Sequence, residues 1–110
     1  MPGVRELPPL SEYPDFVRFI VLHAVQDLDV RSVTLFGSRA RCQSREHSDW
    51  DLAFDVDAEH AALWGSFVVA MGEEAPTLQA FDLVHLVEAS PELRRRIESE
   101  GIVLYTRDAS

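Results

Sequence analysis

Apolar positions follow two different spacings along the first forty residues. Over residues 17–28 they recur at i, i+3 and i+4, which is typical of a helix that buries one face. Residues 31–37 form a short β-branched and aromatic run that ends at a glycine, so they predict a buried strand entering a tight turn. Residues 38–43 are then predicted to start a short helix.

The strand pattern returns at residues 50–56, where apolar and acidic residues alternate. Because side chains of a strand point to opposite faces in turn, one face of this strand is predicted to lie in the core and the other to carry acid. Asp57 follows directly and is expected to cap a helix that ends near Gly72.

The last third of the chain predicts three more elements. Residues 81–87 form a third strand signal, and residues 90–92, Ser-Pro-Glu, are a typical helix start. That helix is expected to end at Gly101, before a last strand over residues 102–105. The order α-β-α-β-α-β-α-β predicts an α/β fold, with a small mixed β-sheet flanked by helices.

Composition sets the scale of the protein. With 110 residues, 46% of them apolar and 26% charged, the chain is expected to form a single domain over residues 1–110, with its core at about 17–105. The longest apolar run, residues 19–25, is far shorter than the roughly 20 residues that span a bilayer. The first nine residues lack the order of a signal peptide, and there is one cysteine, so a cytoplasmic location is expected, without membrane contact.

The formal net charge of −9 bears on the class of partner. An acidic surface repels phosphate, so direct nucleic-acid binding is not expected and an enzyme that extends RNA or DNA is disfavoured. Most arginines fall in two clusters, at residues 39–45 and 94–96, which leaves room for local phosphate contacts. The acidity also suits divalent cations.

Three features carry candidate chemistry: a Gly-Ser turn at Gly37 and Ser38, an acidic pair at Asp49 and Asp51, and Asp82 on the third strand. Residues two apart on a strand share a face, with Cα atoms roughly 6.5–7 Å apart. Carboxylates at that spacing can share Mg²⁺ ions, and two such ions about 3.5–4 Å apart can clamp both oxygens of an in-line phosphoryl displacement. The three aspartates are therefore predicted as catalytic residues and metal ligands.

The Gly-Ser turn is predicted to bind the nucleotide. Gly37 permits a positive φ or a close backbone approach, and the Ser38 hydroxyl with the N–H groups of the next turn can grip a triphosphate. Arg39 or Arg41 could then stabilise charge on the leaving pyrophosphate.

These motifs also resemble those of a known family. Gly37-Ser38, ten residues and then Asp49-Trp50-Asp51 resembles the Gly-Ser-x(10)-Asp-x-Asp signature of the DNA polymerase β nucleotidyltransferase superfamily, specifically its minimal nucleotidyltransferase branch. The resemblance covers about residues 17–105. Beyond the signature, it rests on four segments: residues 35–41, 48–53, 81–84 and 93–105.

The resemblance implies an activity and a partner. It implies metal ligation by Asp49, Asp51 and Asp82, NTP phosphates held by Gly37 and Ser38, and activation of an acceptor hydroxyl at Asp82. Small members of this branch, the MntA-like antitoxins, are encoded beside a HEPN-domain ribonuclease toxin and resemble enzymes that add AMP to a tyrosine of that toxin. We therefore expect ATP as substrate, two Mg²⁺ ions as cofactor and a hetero-oligomer with the toxin.

The sequence departs from the family at Cys42, which stands where a glycine is usual after Ser-x-Ala-Arg. A side chain there disfavours a positive φ and implies a differently shaped loop over residues 43–47, with lower nucleotide affinity or activity. Two alternatives remain open. One is an antitoxin with weak or no catalysis that masks the toxin by binding, and the other is a small-molecule nucleotidyltransferase, which would need an added substrate domain.

Overall fold

The structure, a computed structural model, describes residues 10–41 and 48–107. Cys42 and the loop expected to change shape with it lie outside these ranges. The described chain forms four strands and three α-helices: β1 (Ser32–Phe36), β2 (Trp50–Asp55), β3 (Phe81–His85), β4 (Ile102–Thr106), α1 (Asp15–Leu28), α2 (Trp64–Glu74) and α3 (Pro91–Glu100). Three 3-10 helices complete it: Leu10–Glu12, Ala58–Leu63 and Leu86–Glu88.

The four strands form one mixed sheet in the order β3-β2-β1-β4. Strand β1 runs antiparallel to both β2 and β4, whereas β2 and β3 are parallel. A parallel pair needs a crossover connection, and the segment containing α2 supplies it. The predicted small mixed sheet flanked by helices is confirmed.

The main core lies on one face of this sheet. Helix α1 buries its predicted apolar stripe there, with Ile20 and Leu28 fully enclosed, and α2 adds Phe67 and Met71. Burying such a side chain stabilises a fold by about 1.5–3 kcal/mol. The sheet contributes inward-facing residues of three strands: Val33, Leu35, Trp50, Leu52, Phe54 and Leu104. The acidic face of β2 is therefore the opposite one.

The short helix predicted for residues 38–43 is wrong over the part that the structure describes. Ser38 to Arg41 form a turn, in which the N–H groups of Ala40 and Arg41 both donate to the Gly37 carbonyl, at 3.1 and 3.2 Å. Both hydrogen bonds end on one carbonyl, and a single turn of this kind forms too few hydrogen bonds to stabilise a helix.

Asp57 is at the predicted N-cap position, where its carbonyl accepts from the His60 N–H at 2.9 Å, but its side chain does not cap the helix. The Asp57 carboxylate instead accepts from Arg31 and Arg107. A guanidinium is a stronger partner for a carboxylate than a backbone N–H, because both partners are charged. The segment accordingly begins as a 3-10 helix, and α2 continues to Glu74, two residues beyond the expected end.

Strand β3 is shorter than predicted, because the chain leaves the sheet after His85. Residues Leu86–Glu88 form a 3-10 helix, closed by the Ala89 N–H donating to the Leu86 carbonyl at 3.1 Å. Within the described ranges, no helix has both the length and the apolar character needed to cross a membrane.

Candidate active site

The three predicted carboxylates meet around one position of the sheet. Asp51 on β2 is paired in register with Phe36 on β1 and with Asp82 on β3. Trp50 and Leu52 are buried in the core, so strand alternation directs Asp51 to the other face. The parallel pairing with β3 thus sets Asp82 beside Asp51.

The electrostatics of Asp51 reflect this crowding. Its pKa is raised above the ordinary aspartate value, first by partial burial, then by the negative charges of Asp82 and Asp49 and by a hydrogen bond with Asp82. The positive charge of Arg41 acts in the opposite direction. Asp49 and Asp82 are themselves exposed. Ionisation of Asp51 is therefore unfavourable, because two other carboxylates lie nearby.

This donor set fits a hard divalent cation. Carboxylate oxygens are the ligands that Mg²⁺ prefers, and a bound cation would favour the ionised form of all three groups. Among the described residues, no three His, Cys, Asp or Glu side chains are already arranged as a metal cage. Asp82 already contacts the Asp51 carboxylate, so binding by all three carboxylates would require the exposed Asp49 side chain to approach them.

Gly37 and Asp51 fit each other closely. Gly37 has φ +80°, in the left-handed region that favours glycine. A Cβ at this position would overlap Oδ2 of Asp51 and lie 3.2 Å from its Cγ. Glycine is thus required twice, for the backbone conformation and for the space that the Asp51 carboxylate occupies. The turn of Ser38 to Arg41 consequently starts directly beside the acidic cluster.

The two arginines predicted to bind phosphate have different surroundings. Arg41 carries its charge within reach of Asp51 and forms an ion pair with Glu100 at the end of α3, with Nη1 to Oε1 at 3.2 Å. Arg39 places its guanidinium carbon 4.4 Å from the ring centroid of Trp50. Since Trp50 belongs to the core-facing side of β2, the Arg39 guanidinium lies against a different face from the one that carries Asp51.

Sequence reasoning missed Gln79 and assigned Trp50 to the core alone. The indole Nε1–H of Trp50 donates to Oε1 of Gln79 at 3.0 Å. A signal was available, because a buried tryptophan usually finds an acceptor for its N–H, and this one stands between the two aspartates of the pair. Glu100, the partner of Arg41, was missed as well, and no local pattern indicates it.

The arrangement can bind and position a polyphosphate with its cation. The carboxylates of one sheet face supply the negative ligands, and the glycine turn lets the backbone approach closely. Arg41 adds a positive charge at the same edge.

Several solved structures share this fold. A toxin–antitoxin complex crystallised with AMP-PNP aligns at 21% identity over 82% of this chain and 73% of its own, with a TM-score of 0.56. A variant of the toxin–antitoxin MntA-HpeT aligns at 24% identity over 87% and 76%, with a TM-score of 0.60. A protein whose assignment as a minimal nucleotidyltransferase is provisional aligns at 24% identity over 84% and 93%, with a TM-score of 0.56.

At these identities the likeness shows the fold alone. No curated protein matches the chain in sequence. The sequence does match a family, Polymerase beta, Nucleotidyltransferase, over residues 20–110, which include the glycine turn and all three aspartates. The chain therefore belongs to the polymerase β nucleotidyltransferase family.

Proposed function

We propose that this protein transfers AMP from ATP to a hydroxyl of a partner protein, with Mg²⁺ as cofactor and pyrophosphate as leaving group. The observation that carries the proposal is the cluster around Asp51, where burial and two neighbouring carboxylates raise its pKa beside the turn at Gly37. Three carboxylates at one point of a sheet are unfavourable by themselves, and the cation that accompanies a nucleotide offsets their charge.

The residues have distinct tasks in this reaction. Asp49 and Asp51, with Asp82, hold the cation, which when bound supplies positive charge to the phosphate oxygens. Gly37 and Ser38 face the phosphates, and Arg41 is the cation at the leaving-group side. The acceptor oxygen attacks the α-phosphorus, the bond from that phosphorus to the β-bridging oxygen breaks, and pyrophosphate departs. A carboxylate oxygen of the exposed Asp82 takes the hydroxyl proton.

The acceptor in our proposal is a tyrosine of a HEPN-domain ribonuclease toxin, and the reaction makes this chain the cytoplasmic antitoxin. The toxin–antitoxin complexes among the structural neighbours support a toxin partner, and the HEPN class follows from the family resemblance. The small sheet leaves the cluster at an exposed face, since Asp49 and Asp82 are both open to solvent. A second protein can therefore bring its hydroxyl to the cluster directly.

Intact-mass spectrometry tests the proposal. The protein encoded beside this one is incubated with the chain, ATP and Mg²⁺, and a mass increase matching AMP is expected. The double variant Asp49→Ala, Asp51→Ala should give none. The matched control is Asp55→Asn, which removes a charge from the same face of β2 without touching the cluster and should transfer normally.

Three outcomes separate the alternatives. A mass increase that occurs with the wild type and the Asp55 variant, but not with the double variant, supports protein adenylylation. A stable complex without any mass increase replaces the proposal with an antitoxin that masks its toxin by binding. Transfer that is unaltered in the double variant refutes the assigned site.

A further inference from the structure

The indole of Trp50 is joined to each chain segment that supports a carboxylate of the site. Its own strand carries Asp51, and its ring contacts Arg39 from the glycine turn and Gln79 from the segment before β3. We call the side chains of Arg39, Trp50 and Gln79 the Trp50 clamp. It lies on the core-facing side of β2, behind the acidic cluster.

Arg39 ties the glycine turn to the start of β2. Its guanidinium packs over the Trp50 ring, and its Nη2 donates to the Ser48 carbonyl at 2.9 Å. Ser48 directly precedes Asp49, the first of the paired aspartates. Because the guanidinium is planar, one side chain can stack on an aromatic ring and donate in its own plane at the same time. Arg39 thereby joins the turn to the residue that precedes Asp49.

Gln79 ties the approach to β3 to the same ring. Besides the 3.0 Å bond between the Trp50 indole and the Gln79 amide oxygen, the Trp50 backbone N–H donates to the Ala80 carbonyl at 3.1 Å. The Gln79 N–H in turn donates to Oγ1 of Thr77 at 2.9 Å, which orders the segment. Asp82 is three residues beyond Gln79, so the segment that leads to it is held against Trp50.

The ring itself is held from behind. Phe16 and Tyr13 approach Trp50 edge-on, with centroids at 5.7 and 6.4 Å, and only 6% of Trp50 is exposed. A packed aromatic ring has few alternative rotamers, so it is a firm anchor for the polar groups at its rim.

We infer that the Trp50 clamp sets the spacing of Asp49, Asp51 and Asp82 that a metal-bound nucleotide requires, and that Arg39 is a positioning residue instead of a phosphate ligand. This inference rests on the proposed function, because the spacing matters only if the three aspartates bind a metal-bound nucleotide. The contacts of the Trp50 clamp do not depend on that function. Groups that orient metal ligands from behind typically change metal affinity 10–100-fold when removed.

The first test uses Gln79→Leu, with Leu78→Ala as matched control. Both residues are exposed neighbours, and Leu78 is fully exposed, so both variants should fold normally. In the metal-free protein, the amide NMR resonances of Asp49 and Asp51 should shift in Gln79→Leu and stay in place in Leu78→Ala. Shifts confined to residues 77–81 would overturn the inference, whatever the protein's activity.

The second test measures the Mg²⁺ concentration that gives half-maximal ATP binding. Gln79→Leu and Arg39→Met should each raise it by about tenfold, and the double variant should raise it by much less than the product, because both act through one ring. Effects that multiply would make Arg39 an independent ligand and refute its positioning role. A wild type that binds no Mg²⁺-ATP would refute the proposed function, and the NMR result would still decide the clamp.

Discussion

Replacing Asp51 with asparagine should stabilise the metal-free protein at neutral pH. In the wild type, partial burial of Asp51 and the negative charges of Asp82 and Asp49 raise the Asp51 pKa, so they destabilise its ionised form. Asparagine has nearly the same shape, so it fits the space that Gly37 leaves open. Its NH₂ group can also donate to Asp82, as the protonated acid does. The substitution therefore removes the repulsion and keeps the packing.

The size of the gain follows from the sheet geometry. Neighbouring strands lie about 4.8 Å apart, and two unit charges at roughly that distance repel by about 1 kcal/mol in water and about 3 kcal/mol at an effective dielectric of 20. Because Asp82 is exposed, we expect the lower end, about 1 kcal/mol, from this pair. For a domain of this size that corresponds to a rise in Tm of about 4 °C.

The pH dependence has a defined sign. A pKa that is raised in the folded state means that the protonated form of Asp51 stabilises the fold, fully so below the ordinary aspartate pKa of about 3.9. That contribution is lost as the pH rises through the raised pKa. The advantage of Asp51→Asn should therefore be absent in acid and grow on the way to neutral pH.

Urea unfolding in EDTA between pH 4 and 8 measures the effect. The control is Asp55→Asn, on the same face of β2, which should stay within about 0.5 kcal/mol of the wild type. Adding Mg²⁺ should raise the Tm of the wild type and leave that of Asp51→Asn unchanged. If Asp51→Asn is no more stable than the wild type at pH 7, the carboxylates do not repel one another as we argue.

Three further predictions concern the same framework. Gly37→Ala should destabilise the protein by at least about 1–2 kcal/mol in urea unfolding, because φ at this position is +80°. Part of this loss should disappear in a double variant in which Asp51→Ala removes the overlapping carboxylate. A loss of the same size in the double variant would contradict the close fit of Gly37 and Asp51. Ser90→Ala should cost about 1 kcal/mol, since Ser90 Oγ accepts from the Leu93 N–H at 3.1 Å at the start of α3, and circular dichroism during urea unfolding measures it. Asp57→Asn should lower the Tm at neutral pH, because Arg31 and Arg107 lower the Asp57 pKa and so stabilise the folded protein. This stabilisation by the ionised carboxylate is present above the ordinary aspartate pKa and is lost as the pH falls through the lowered pKa. An equal Tm for the variant and the wild type at pH 7 would refute the prediction.

The sequence predicts the order of the strands and helices, because that order depends on local spacing. The meeting of Asp51 with Asp82 depends instead on the pairing of β2 with β3. The sequence does not predict that β3 is parallel to β2 and adjacent to it, since strand pairing depends on contacts far apart in the chain. The side-chain capping bond of Asp57 is absent for the same reason, because Arg31 and Arg107 compete for the carboxylate. For Arg39, proximity to the signature predicts a phosphate contact, and nothing in the local sequence indicates that its guanidinium packs on Trp50.

The acidic cluster is complete only after the parallel pairing of β2 with β3 has formed. Strands β1 and β2 are separated by 13 residues, 37–49, but 25 residues, 56–80, must be traversed before β3 can join β2. Contacts of larger sequence separation cost more loop entropy and form later. A nascent or partly unfolded chain that has formed β1 and β2 alone therefore has Asp49 and Asp51 without Asp82. All three carboxylates come together only in molecules in which β3 has joined β2, so the proposed chemistry depends on that pairing.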